Sequence, residues 1–257
     1  MVALKELVTF LDDILELDAF PHDSSNNGLQ FQGINEVKKA VFAVDACEAV
    51  FSIAADLDAD FIFVHHGMSW GNGFKRITGI EAKRITALAA NGMSLYGAHL
   101  PLDAHPLIGH NALIANMAGL KNITPFGGYD GSKIGFKGTF DKPVSIETLA
   151  KSLAKKLPSQ GGYSIIGNPA QKISSASVIS GGGAYVDLFK ELYDSEVECH
   201  ITGEANHSAF HFALEAGVSI ITLGHYRTEI PGVLAVMNSV AEKFNLDVEF
   251  IDFPTEM

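Results

Sequence analysis

KAVFAVDACEAVFSIAADLDADFIFVHHG, residues 39–67, reads as a strand, a helix and a second strand. Lys39–Asp45 is a short β-branched and aromatic run, Glu48–Leu57 carries a helical pattern, and Asp60–His65 (DFIFVH) is a second buried strand. Gly79–Asn91 follows as a helix that Gly92 ends, and Ser94–His99 as a third strand. Buried runs alternating with helices imply parallel strands joined by right-handed crossovers.

The same order returns downstream. Ser175–Ser180 is a strand closed by Gly181-Gly182-Gly183. Ala184–Tyr193 is a helix, Glu198–Thr202 a strand, His207–Ala216 a helix, Ser219–Gly224 a strand and Val233–Phe244 a long helix. The repetition lies in pattern more than in residues, and predicts two related α/β units with mainly parallel or mixed central sheets. Upstream, Leu4, Leu7, Val8, Leu11, Ile14 and Leu15 recur at helical spacing, and His22–Gly33 (HDSSNNGLQFQG) reads as turn-rich loop. The Gly-rich Asn122–Gly138 is the expected boundary, with units at 1–124 and 125–257. Val144–Leu157 is a further helix capped by Ser145. Asp247–Phe253 is a final strand able to pair with either sheet, the first unit's included.

The chain has 257 residues, of which 47% are hydrophobic and 19% charged, enough to build a core and far from a disordered composition. Eighteen Lys and Arg against 30 Asp and Glu give a net charge of −12, which disfavours sequence-independent nucleic-acid binding. Lys75, Arg76, Lys83 and Arg84 stand close together and read as a solvated or substrate-facing group. Two cysteines, Cys47 and Cys199, form no disulfide framework and fit a reducing cytoplasm. Acidic residues interrupt the first twenty residues, unlike a signal peptide. No run of about 18 uncharged apolar residues offers a membrane span.

Three segments carry candidate chemistry. His65-His66-Gly67 lies at the carboxyl end of the second strand, where open parallel sheets bind ligands. Adjacent strand residues point to opposite faces, so these imidazoles are expected to serve separate ions, or to be one core and one surface histidine. Gly97–Pro106 (GAHLPLDAHP) places His99, Asp103 and His105 within seven residues, with Pro101 and Pro106 keeping their predecessors extended. Either these are ligands, or Asp103 caps a turn and the histidines pack on the prolines. Gly224–Glu229 (GHYRTE) sets His225 four residues before Glu229. Pro231 disfavours helix at Ile230, which puts Glu229 at the start of the next helix, and the alternative is a capping Glu beside a stray His. Gly181–Gly183 reads as a tight turn in preference to a phosphate cradle. His207 and His211 read as surface or interface residues.

HHG, GAHLPLDAHP and GHYRTE, in this order and spacing, resemble the Nif-three-like family of dinuclear metal proteins, some of which are labelled GTP cyclohydrolase type-two-like. The resemblance covers essentially the whole chain in a short form without an inserted domain. It implies two units of three-layer character with a two-metal site between them, and a toroidal homohexamer. It places the ligands at His65, His66, Asp103, His225 and Glu229, with His99 as a further site-lining residue. If one carboxylate bridges, each of two divalent ions receives three protein donors and keeps open coordination. Glu229, with two oxygens, is the expected bridge. Donors without thiolate suit Zn, Fe, Mn, Ni or Co.

The expected function is therefore dinuclear metal-dependent hydrolysis of a small molecule: a phosphate ester, a nucleotide or a cyclic amide. A hydroxide shared by ions about 3.5–4 Å apart would attack, with His99 orienting or shuttling a proton. The alternative is a non-catalytic metal-binding hexameric ring acting in metal delivery or partner docking.

Overall fold

Ala40–Val44 are five consecutive apolar residues, and all five are buried. A strand covered on both faces has no reason to alternate polar with apolar, so the run is continuous. The computed structural model describes residues 1–74 and 76–255, and shows the chain as two compact units. Lys75, one of the four clustered cations, lies outside the described residues.

In chain order the elements are β1 (Val2–Ala3), α1 (Leu4–Leu15), β2 (Gly28–Phe31), β3 (Glu36–Val37), β4 (Lys39–Asp45), α2 (Glu48–Asp56), β5 (Phe61–His66), α3 (Gly79–Ala90), β6 (Ser94–Gly97) and α4 (Leu100–Ala104). Next come α5 (His110–Ala118), β7 (Lys121–Tyr129), β8 (Ser132–Ser145), α6 (Ile146–Lys156), β9 (Ser164–Ile166), β10 (Lys172–Ile179) and α7 (Val186–Asp194). The chain closes with β11 (Cys199–Thr202), α8 (His207–Ala216), β12 (Ser219–Thr222), α9 (His225–Thr228), α10 (Ile230–Phe244) and β13 (Asp247–Phe250).

The first unit comprises Met1–Leu102 and Val233–Phe253. Its sheet runs β13-β4-β5-β6-β2, parallel except for the β2 edge. Register sets Phe42 beside Phe63 and Phe63 beside Tyr96, so their rings form one aromatic row 5.6–5.7 Å apart. Val41, Ile62 and Leu95 fill the opposite face against Phe51 and Leu88. The same parallel pairing sets Asp45 beside His66 at the carboxyl end of the sheet.

The second unit is Asp103–Gly232 with Pro254 and Thr255. Its sheet runs β7-β8-β10-β11-β12-β9, in which β10, β11 and β12 are parallel and β7, β8 and β9 pair antiparallel. Phe136, Leu149, Leu153, Val178, Ile201 and Ile221 belong to its core. Ser145 caps α6 as expected: its Oγ accepts from Thr148 N at 3.2 Å.

Four expectations are corrected. The Gly-rich Asn122–Gly138 is no linker but the β7–β8 hairpin, its glycines lying where neighbours pack close: a Cβ on Gly135 would meet Val178 O at 2.4 Å. The units instead divide near residue 102; the final strand β13 pairs with β4 of the first unit, one of the two pairings expected. The loop at His22–Gly33 contributes the edge strand β2. Pro101 and Pro231 sit in the first turns of α4 and α10, where proline's missing N–H costs nothing, so neither breaks its helix. No described helix is long and apolar enough to cross a membrane.

Candidate metal centre

In the first unit, His65 and His66 end β5, and His99 follows β6. One ligand-capable atom from each of the three lies within 4.8 Å of the others. The rings of His65 and His66 stand 4.5 Å apart, closer than simple strand alternation predicts. They are anchored from opposite neighbours. His65 Nδ1 is 2.9 Å from Ala98 O, just past β6, and His66 Nδ1 is 2.8 Å from Asp45 Oδ1, the last residue of β4. A carbonyl or carboxylate can only accept, so each Nδ1 carries a proton and the lone pair of the neutral ring is on Nε2.

His99 follows the same rule, with Nδ1 2.9 Å from Asp23 Oδ1. Asp23 is almost wholly buried and its two oxygens also accept from Ser25 N, Leu100 N and Asn27 Nδ2. Burial alone raises its pKa. Hydrogen bonds from His99, Asn27 and Ser25, with the His99 charge, reverse that and hold it below the usual carboxylate range. Asn27 Oδ1 takes the His99 backbone N–H. The segment read as mere loop therefore fixes His99.

In the second unit, His225 opens the single turn α9 and Glu229 caps it, so the pair shares a face: His225 Nε2 lies 3.1 Å from Glu229 Oε1. His225 Nδ1 is 3.0 Å from Glu204 Oε1. Burial lowers the His225 pKa, but the hydrogen bonds and charges of Glu229 and Glu204 outweigh it and push the group up to about 9. Asp103 is buried and accepts from Ser180 Oγ at 2.9 Å, and Ser180 N donates to Asn111 Oδ1. Gly181 turns with φ +56° directly under the pair, and a Cβ there would meet Glu229 Oε1 at 2.1 Å and His225 Nε2 at 2.9 Å. Its glycine is a packing requirement of that pair, not a phosphate cradle.

These groups fit metal ions. A cation belongs where an imidazole faces carboxylates at both nitrogens, and in the metal-free chain a proton fills that role at His225. Hydrogen-bonded acceptors on Nδ1 are the usual partners of metal-ligating histidines. Other candidates do different work. His105 Nδ1 accepts from Leu107 N and Ile108 N, which makes it a turn cap. His207 and His211 are exposed on α8. Sequence reasoning missed Asp23 and Asp45, whereas Glu204, at a strand end, reads either as a residue facing the site or as a helix-start acid, and the structure sets it against His225. The only signal for Asp45 was its strand-end position, shared by many structural acids. It also passed over His110, whose Nδ1 accepts from Gly232 N, and His200, a neutral core histidine held by Ser177 and Gly183 whose pKa burial drives down to about 4.

Two predictions arise here. Asp45→Ala and Glu204→Ala, which touch only the far nitrogen of a histidine, should weaken metal binding about 10–100-fold. Competition with a chromophoric chelator measures this, and unchanged affinity in both variants refutes the orienting role. Second, because His225 titrates near 9 when folded against an ordinary 6.5, the metal-free chain holds the proton more tightly than the unfolded chain. That stabilisation is complete below pH 6.5 and is lost as pH rises through 9. Thermal unfolding of chelated protein should show the loss, and His225→Gln should abolish it.

A family model described as Duf34/NIF3 (NGG1p interacting factor 3) matches residues 2–256. A relative from Archaeoglobus fulgidus, named GTP cyclohydrolase 1 type 2 homolog, is 41% identical over 254 residues, covering 99% of each chain. One of the same name from Pyrococcus abyssi is 41% identical, covering 98% of each. The crystal structure of TTHA1606 from Thermus thermophilus superposes with a TM-score of 0.87 at 35% identity over the whole of both chains. Matched by the family model from its second residue almost to its last, and by relatives along their full length, the chain belongs to the Duf34/NIF3 family.

Proposed function

We propose that His65, His66, Asp103, His225 and Glu229 hold two divalent ions, drawn from Zn, Fe, Mn, Ni or Co, and that the protein is a metal-dependent hydrolase of a small molecule. The observation that carries this reading is the same anchoring of each imidazole within its own unit. In His65, His66 and His225 the Nδ1 atom is committed to an oxygen acceptor, leaving Nε2 as the donor atom. An all-N/O donor set with more ion coordination than protein ligands favours reaction over storage. The name of the curated relatives puts nucleotides beside phosphate esters and cyclic amides among the substrates to assay.

Bound ions would supply Lewis-acid polarisation of a substrate oxygen and lower the pKa of water. The chain's own residues do the rest. Ala98 O, Asp45 and Glu204 fix the rings of His65, His66 and His225. His99 keeps its Nδ1 proton on ionised Asp23 and can take a second at Nε2, forming an imidazolium that the carboxylate stabilises. Turnover by metal-replete protein on a panel of phosphate esters, nucleotides and cyclic amides tests the reading. Expected are hydrolysis that chelation abolishes and a loss of about 10²-fold or more in His99→Ala. Fully loaded protein that turns over nothing on the panel refutes it.

We further propose a cytoplasmic homo-oligomer, the hexamer that the resemblance implies. Tyr193 of α7 and Phe210, Phe212 and Leu214 of α8 are exposed, an unusual apolar load for a solvent-facing helix pair. Light scattering should report a multiple of the chain mass, and a stable monomer at micromolar concentration overturns it.

A further inference from the structure

Arg76 and Arg84, two of the clustered cations, line a cavity of about 710 Å³ in the first unit, with Met68, Trp70, Phe74 and Glu81. That volume suits a small organic ligand. Lys83 is exposed on α3 and outside the lining.

Trp70 is 38% exposed yet firmly held. Its Nε1 donates to Gly67 O at 2.8 Å. The backbone around it is tied down: Gly71 N donates to Ser24 O and Asn26 N to Ser69 O, while Gln30 Oε1 accepts from Met68 N and Ser69 N. A large aromatic ring kept at the surface and immobilised beforehand gives a ligand a flat face at little entropic cost. The Trp70 ring centroid is 5.1 Å from that of His99 and 6.4 Å from that of His66, so the cavity adjoins the histidine cluster.

The lining chemistry is selective. In a chain of charge −12, two guanidinium groups in one cavity provide forks for a phosphate or carboxylate. Trp70 and Phe74 offer stacking surface. Glu81, an acceptor when ionised, favours ring N–H donors and opposes ligands of high negative charge. We propose that this cavity binds a planar nitrogen heterocycle bearing one anionic group, and that it is the substrate-recognition pocket of the histidine cluster. The second clause rests on the hydrolase reading above, whereas the binding itself does not.

Trp70 is the only tryptophan in the chain, so its fluorescence reports on this cavity and the histidine cluster beside it, which chelation keeps free of metal. Chelated, metal-free protein is titrated with guanosine monophosphate, orotate, guanosine and ribose 5-phosphate. Saturable quenching by guanosine monophosphate or orotate is expected, the tighter of the two identifying phosphate or carboxylate as the preferred anion. Guanosine, without the anion, and ribose 5-phosphate, without the ring, should bind at least about tenfold more weakly. Arg76→Gln and Arg84→Gln should each cost about tenfold, and Lys83→Gln less than about twofold. The proposal fails if neither full ligand quenches saturably, if guanosine matches its monophosphate, or if both arginine variants bind like wild type. Binding with this preference but no turnover in the metal-replete panel would sink the hydrolase reading and leave the pocket. Turnover without the preference would do the reverse.

Discussion

Elemental analysis of the metal-replete protein should return two divalent ions per chain, and Glu229→Ala should return fewer than one. Glu229 is 3% exposed and places Oε1 3.1 Å from His225 Nε2, over a glycine whose Cβ would collide with that oxygen. A carboxylate has two oxygens and can serve two ions, whereas each imidazole presents one Nε2. Removing Glu229 therefore weakens both ions, while His65→Ala or His66→Ala should chiefly weaken one. Glu229→Gln keeps the shape and removes the charge. It should fail almost as badly, which separates lost ligation from lost packing. Circular dichroism confirms that the variants fold. A wild type that holds one ion or none under replete conditions refutes the dinuclear site. Full two-ion occupancy in Glu229→Ala refutes the bridge.

Arg227→Ala should be among the most destabilising single changes available, costing roughly 3–5 kcal/mol. The side chain is 6% exposed and donates to backbone carbonyls only: Nη2 to Ala154 O at 2.9 Å, Nη1 to Gly162 O at 3.0 Å and Leu223 O at 3.3 Å, and Nε to Pro158 O at 3.4 Å. Ala154 is in the last turn of α6, where carbonyls lack helical partners and the helix dipole is negative, so the guanidinium satisfies both deficits. Its loss strands these acceptors and leaves a void. Arg227→Lys should recover little, because one ammonium cannot reach carbonyls so dispersed. Both variants should unfold about 10 °C earlier in a thermal scan. Because Arg227 sits between His225 and Glu229 on α9, Arg227→Lys should also hold metal less firmly. A melting temperature within about 2 °C of wild type in Arg227→Ala would overturn the clamp.

Much of the fold follows from local pattern. The runs at Lys39–Asp45 and Ser94–Gly97 and the helical spacing at Leu4–Leu15 are legible because side-chain periodicity, β-branching and helix stops act over a few residues. The positions of ligand-type side chains were legible in part: HHG ends β5 and GHYRTE follows β12, whereas Asp103 lies in α4. The β7–β8 hairpin was not legible as strand, since Gly127 and Gly135 leave room for Ile179 and Val178, a demand set by residues more than forty positions away. The same separation hid which carboxylate meets which imidazole. Asp23 meets His99 across 76 residues, Asp45 meets His66 across 21 and Glu204 meets His225 across 21. A carboxylate carries no local sign of which imidazole it will face. So the sequence by itself determined the α/β alternation and the inventory of nitrogen and oxygen donors. Only tertiary packing decided which nitrogen of each ring holds a proton and which is offered to a ligand, because parallel strand register and long-range loop closure put each acceptor where it stands.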